Sequence, residues 1–173
     1  HPKTQAPPGV TFGLAFLLVF VFGSIPAAIQ AGQCGVSLAD SDWLHGSAES
    51  LLAITNCVVV LGFRAALQNE ERKLAVGAWA CGCVSLLTTF FHSGVHEPWR
   101  FVESSWYATE PVNALSLATW VIHTSSLVEW LVAMGLCWRY AEYTGVPQYK
   151  GVTWGMLPLH SSGIVACTYP VFF

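Results

Sequence analysis

Charge is what this sequence has least of. Seven Lys and Arg and ten Asp and Glu make up 10% of its 173 residues, whereas apolar types supply 54%. So thin a polar complement cannot coat a water-soluble domain of this size, which excludes the ordinary soluble classes. With so few basic residues and a net charge of −3, no nucleic-acid partner is expected. Paired metal-ligand spacings are scarce too. No ExxH or CxxC occurs, and the one HxxxH pair, His92 with His96, follows the third apolar run; such patterns would set two ligands on one helix face. Nor is there a cleavable signal peptide, because the first apolar run follows Pro7, Pro8 and Gly9 rather than a basic region. Since the chain starts at His1, an upstream segment is expected to have been removed or to lie outside it.

What is present is a series of five long apolar runs, at 10–31, 43–67, 74–91, 115–138 and 151–173. A bilayer core about 30 Å thick takes roughly 20 helical residues, so each run is long enough to cross alone. The expected fold is therefore all-α, a polytopic membrane bundle of five transmembrane helices. Its parts are a tail at 1–9, a three-helix module at 10–97, an interfacial connector at 98–112 and a two-helix module at 113–173. If the first residues lie on side A and the chain alternates, Lys3, Arg64, Arg72, Lys73, Arg139 and Lys150 share that side, and Arg100 falls on side B. The positive-inside rule then turns side A toward the cytoplasm or its equivalent. Trp43 and Trp120 mark the side B boundary and Trp138 and Trp154 the side A boundary, while Trp99 and Trp106 suit a connector lying in the interface.

Polar residues inside the runs need partners or a purpose, since a central charge costs at least about 2.5 kcal/mol on insertion scales. Glu49 and Glu129 are the buried carboxylates, and His45, His92, His123 and His160 are the candidate ligand imidazoles. His45 and Glu49 are four apart on one helix face, within hydrogen-bonding reach. His123 and Glu129 are six apart and cannot meet on one helix, so each is expected to find its partner on another span. Asn56, Ser125 and Ser126 are candidate buried polar partners. Three roles fit the histidines: structural hydrogen bonding, ligation of chlorophyll magnesium or haem iron, and membership of a carboxylate-histidine metal or proton relay.

Small residues predict the packing faces. Gly77, Cys81 and Ser85 recur every four residues beside Gly82, and Gly151 with Gly155 opens the last run. Of six cysteines only Cys34 lies in a loop, so apolar packing, not a disulfide framework, is their expected role.

The string NALSLATWVIHTSSLVEWL at 113–131, with WRYAE at 138–142 and KGVTWGMLPLH at 150–160, resembles a family of small membrane proteins of cyanobacteria and plastids. These are the ycf-type hypothetical chloroplast reading frames, of unknown function, and the resemblance covers about residues 113 to 169. DWLHGSAES at 42–50 and VLGFR at 60–64 resemble a companion domain of unknown function from the same lineages. The family pattern ends near Cys-Thr-Trp-His-Phe-Phe, whereas this chain has Cys167, Thr168, Tyr169, Pro170, Val171, Phe172 and Phe173. That histidine is therefore no essential ligand here.

The resemblance implies a plastid thylakoid, with side A and the N-terminus stromal and the C-terminus lumenal. It carries over no catalytic residue. The function expected is that of an accessory, non-enzymatic subunit of a photosynthetic complex, photosystem I before photosystem II, that is structural and a candidate to bind chlorophyll and carotenoid. Its expected partners are membrane lipids and photosystem core or light-harvesting subunits. The alternatives are a photosystem assembly factor and an intramembrane metal- or proton-handling enzyme or carrier.

Overall fold

A computed structural model describes residues 4–67 and 115–172 of the chain, which form four helices and, among the described residues, no strand. Helix α1 spans Pro8–Gln33, α2 Asp42–Ala66, α3 Leu117–Thr144 and α4 Gln148–Phe172. Each boundary has a local cause. Pro8 sits in the first turn of α1, where its missing N–H would have no partner anyway. Ser37 and Asp40 close the link to α2, with Ser37 Oγ donating to Asp40 Oδ2 at 2.6 Å. Ser116 caps α3 by accepting from Thr119 N through its hydroxyl. Gly145 stops α3 in the left-handed conformation, φ +69°, that only glycine adopts without strain.

The helices pack in chain order, α1 on α2, α2 on α3 and α3 on α4. α1 is antiparallel to α2, with Gly9 against Gly62 at one end and Gly23 against Leu51 further along. α2 and α3 are parallel, because Asp42 and Ser116 meet at their starts and Phe63 and Tyr140 toward their ends. That is the direction expected of the second and fourth of five alternating runs. α4 returns antiparallel, with Thr153 bonded to Met134 and Gly163 beside Leu127. Arg64, Arg139 and Lys150 consequently share one end, here called the basic end.

Five transmembrane helices are more than the structure supports. Three described segments, Pro8–Gln33, Asp42–Ala66 and Ala118–Thr144, are long and apolar enough to cross a membrane. The run expected at 151–173 does form helix α4, but Lys150, Thr153, His160, Ser161, Ser162 and Thr168 dilute it below the apolarity of the other three. The run at 74–91 lies outside the described residues, as do the connector, His92 and the packing residues Gly77, Cys81, Gly82 and Ser85.

The main apolar cluster lies toward the basic end. There Val10, Val59, Val60, Phe63, Met134, Leu136, Tyr140, Tyr149 and Met156 form one buried cluster. Tyr140 and Tyr149 meet edge to face at 4.9 Å, and their hydroxyls donate to the carbonyls of Gln5 and Thr4 at 2.6 and 2.8 Å. The tail before α1 is thus fastened over the α3–α4 turn. Outward, α1 is apolar nearly all round, with Phe12 and Phe22 61% and 66% exposed, a surface suited to lipid rather than water.

Close backbone approach is made by Gly9, Gly13 and Gly62, and not by the expected Gly151 and Gly155, where an added Cβ would meet nothing within 4 Å. Gly9 and Gly13 are themselves four apart, so the small-residue signal was present in the sequence at a different place. A Cβ on Gly62 would overlap the backbone of Gly9 and Val10. Gly62→Ala is therefore expected to cost about 1–3 kcal/mol through forced separation of α1 and α2. Gly32→Ala, which meets nothing within 4 Å, serves as the control. Unfolding midpoints of the two variants in detergent measure the difference, and equal midpoints would contradict it.

Candidate ligand cavity

The α2–α3 interface away from the basic end is built from polar groups. Asp42 Oδ1 accepts from Ser116 N at 2.9 Å, so the first residue of α2 places a carboxylate at the N-terminus of α3, where unpaired N–H groups and the helix dipole favour it. Gly46 leaves room beneath Thr119, whose hydroxyl reaches Asp42 O at 3.5 Å. One turn deeper the rings of His45 and His123 lie 4.8 Å apart at 85°. Deeper again, Asn56 Nδ2 donates to Ser126 O and Ser126 Oγ at 3.3 and 3.1 Å. Glu129 follows, fully buried.

These contacts bear on three expectations. His45 and Glu49 share a face but do not hydrogen-bond, and His45 Nδ1 is buried without a partner. The imidazole turns instead toward His123. His123 does not look to another helix for its hydrogen bond, since its Nδ1 lies 3.0 Å from Thr119 O on its own helix. A carbonyl can only accept, so Nδ1 carries the proton and Nε2 keeps a free lone pair. Glu129 does meet groups of another span, Asn56 and Cys57 of α2, but neither carboxylate oxygen makes a hydrogen bond of ordinary geometry to a described residue.

Beside this interface lies a cavity of about 420 Å³ to which all four helices contribute. α1 supplies Leu17, Phe20 and Val21, and Trp130 and Leu127 of α3 close the apolar wall. Its polar points are Glu49, Asn56, His123, Ser126, His160 and Ser162. The structure therefore brings together five of the sequence candidates, Glu49, Asn56, His123, Ser126 and His160. His45 stands behind His123, Glu129 lies beside Asn56, and Ser125 is buried on α3 outside the lining. His160 Nδ1, like Asn56 Oδ1, is buried without a partner. Among the described residues no three of His, Cys, Asp and Glu are grouped closely enough to hold a metal ion. No disulfide joins the described cysteines, Cys34, Cys57, Cys137 and Cys167, to one another.

At the basic end, Trp138 Nε1 donates to Glu142 Oε1 at 3.0 Å, and Lys150 Nζ reaches the same oxygen at 3.1 Å. Lys150 also lies 4.5 Å over the Trp138 ring, and Trp138 stacks edge-on with Trp154. The ion pair is exposed and adds little stability. Its use is positional, because paired indoles and a lysine mark the level of a membrane surface.

Residues 114–173 match the family described as Protein of unknown function (DUF2499), and residues 1–68 match the one described as Protein of unknown function (DUF3593). A Ycf49-like protein of Synechocystis sp. is 44% identical over 61 residues. The likeness is to a ycf-type family of unknown function. The alignment with that relative covers 35% of this chain and 59% of the relative. No solved structure matches the chain. The cavity is walled by both matched regions of the chain, since Glu49 and Asn56 come from residues 1–68 and His123, Ser126 and His160 from residues 114–173.

Two substitutions separate the polar residues that hold helices from those that do not. Asn56→Leu removes the bonds to Ser126 and is expected to lower stability by about 1 kcal/mol. Glu129→Leu keeps a similar volume, loses no hydrogen bond and removes a buried carboxyl, so it is expected to raise the unfolding midpoint in detergent. A lower midpoint for Glu129→Leu would show that the carboxyl has a stabilising partner.

Proposed function

We propose that the chain is an accessory, non-enzymatic subunit of a photosynthetic membrane complex, photosystem I before photosystem II, that holds a pigment or related isoprenoid amphiphile among its helices. The observation that carries the reading is His123. It is a buried neutral imidazole with its proton committed to Thr119 and a free Nε2, on the wall of an apolar cavity. Such a nitrogen either accepts a hydrogen bond or ligates the magnesium of a chlorophyll, and the apolar wall receives the rest of the ligand. Leu17, Phe20, Leu127 and Trp130 would hold the hydrocarbon part, and a bound carotenoid or chlorophyll would supply light absorption and energy transfer.

The apolar outer face of α1 suits a peripheral place against lipid or neighbouring subunits. In this reading the protein sits in a thylakoid, which the likeness to ycf-type proteins supports, with the basic end toward the stroma. Cys34, exposed in the α1–α2 link, then faces the lumen.

Two measurements test this. The full chain is expected to cofractionate with photosystem I when membranes are solubilised in mild detergent, and complete separation from both photosystems would overturn the proposal. In sealed, stroma-side-out vesicles, a membrane-impermeant maleimide is expected to leave Cys34 unlabelled until the vesicles are opened. Labelling before opening would reverse the orientation.

A further inference from the structure

The cavity wall carries a donor and an acceptor one helical turn apart. His123 and Ser126, three residues apart on α3, share a face and both line the cavity. His123 Nε2 can only accept, because the ring proton is held on Nδ1 by Thr119 O. Ser126 Oγ accepts from Asn56 Nδ2, so its own hydroxyl proton is free, and it has no recipient among the described residues. Asn56 is fixed by the same bonds, and its Nδ2 is already used on Ser126. On α3 the wall therefore presents a lone pair and an O–H side by side, with Asn56 Oδ1 and His160 Nδ1 as the further unpartnered polar atoms of the lining residues.

From this arrangement, and resting on the ligand-holding reading above, we infer that the cavity binds an amphiphile with a hydroxyl-bearing ring, which donates to His123 Nε2 and accepts from Ser126 O–H. A ligand ketone, ester or ether oxygen can take the Ser126 proton but leaves Nε2 unmatched, and a pure hydrocarbon matches neither. Buried polar groups without partners discriminate strongly against such ligands. Size agrees. A volume of about 420 Å³ takes a substituted six-membered ring with the start of its chain, and is small for a whole tetrapyrrole macrocycle. α1 and α4 both line the cavity without packing on one another, and Leu17 and Phe20 leave an apolar wall for the chain that follows the ring. A hydroxylated carotenoid and a galactolipid share this chemistry.

The test uses the full chain purified in mild detergent and two probe pairs, zeaxanthin against β-carotene and monogalactosyldiacylglycerol against phosphatidylcholine. Retained ligand is measured after gel filtration. The hydroxylated member of one pair is expected to bind about tenfold more tightly than its partner. The pair that shows the preference identifies the source. His123→Phe, which keeps a ring of similar size, is expected to abolish the preference while leaving weak binding of both members. Ala166→Trp, at an exposed α4 position on the lining, is expected to reduce binding of both without unfolding the chain. Equal binding within both pairs would overturn the inference, as would a preference that survives His123→Phe in folded protein, or retention of chlorophyll alone. Cofractionation with a photosystem but no hydroxyl preference would sink this inference and spare the proposed function. Preference without cofractionation would do the reverse.

Discussion

The parallel contact of α2 with α3 is the constraint from which the rest of the arrangement follows. Two helices that both begin at the same end can pack only if their starts are held level, and the Asp42 carboxylate does so by accepting from Ser116 N. The same carboxylate satisfies a helix N-terminus that has no water to turn to. With the starts level, His45 faces His123, Asn56 faces Ser126 and Phe63 faces Tyr140. Every later contact inherits that register.

Along this interface the chemistry changes from polar to apolar, and the change divides the molecule into two working parts. Toward the basic end, aromatic and aliphatic side chains fill the space, and two tyrosine hydroxyls fasten the tail before α1. Toward the other end, serines, threonines, histidines and an asparagine occupy positions that a purely structural bundle fills with Leu or Ala. Several are satisfied within their own helix or across the pair. Among the described residues His45 Nδ1, Asn56 Oδ1, His160 Nδ1 and both oxygens of Glu129 are not. Unmatched polar atoms at this depth oppose folding, and it is on their presence beside a cavity that the proposed ligand rests.

Much of the candidate site was legible before the fold was known, because charged and imidazole side chains stand out inside apolar runs. Glu49, Asn56, His123, Ser126 and His160 were all singled out that way, and the structure gathers them on one cavity. Their partners were less legible. Helical spacing set His45 beside Glu49, but the ring turned across the interface toward His123, since a neighbouring helix four or five ångströms away competes with an i+4 neighbour on equal terms. The glycine signal was incomplete for a related reason. GxxxG spacing occurs at both Gly9–Gly13 and Gly151–Gly155, and among the described residues the first pair is the one that meets a helix, where Gly62 supplies the complementary gap.

The sequence by itself determined the helical, membrane-type character of the described residues, the approximate place of their helices, and which polar residues stand inside the apolar runs. Those properties are sums over local composition: the apolarity of a run, a proline or serine at a start, a glycine at a stop. Tertiary structure alone decided the tautomer of His123, the isolation of Glu129, the loss of the His45–Glu49 bond and the existence of the cavity. These depend on the rotation and register of each helix against its neighbours. Both are set by a few close contacts between residues far apart in the chain, such as Gly9 with Gly62 and Asp42 with Ser116, which no periodicity records.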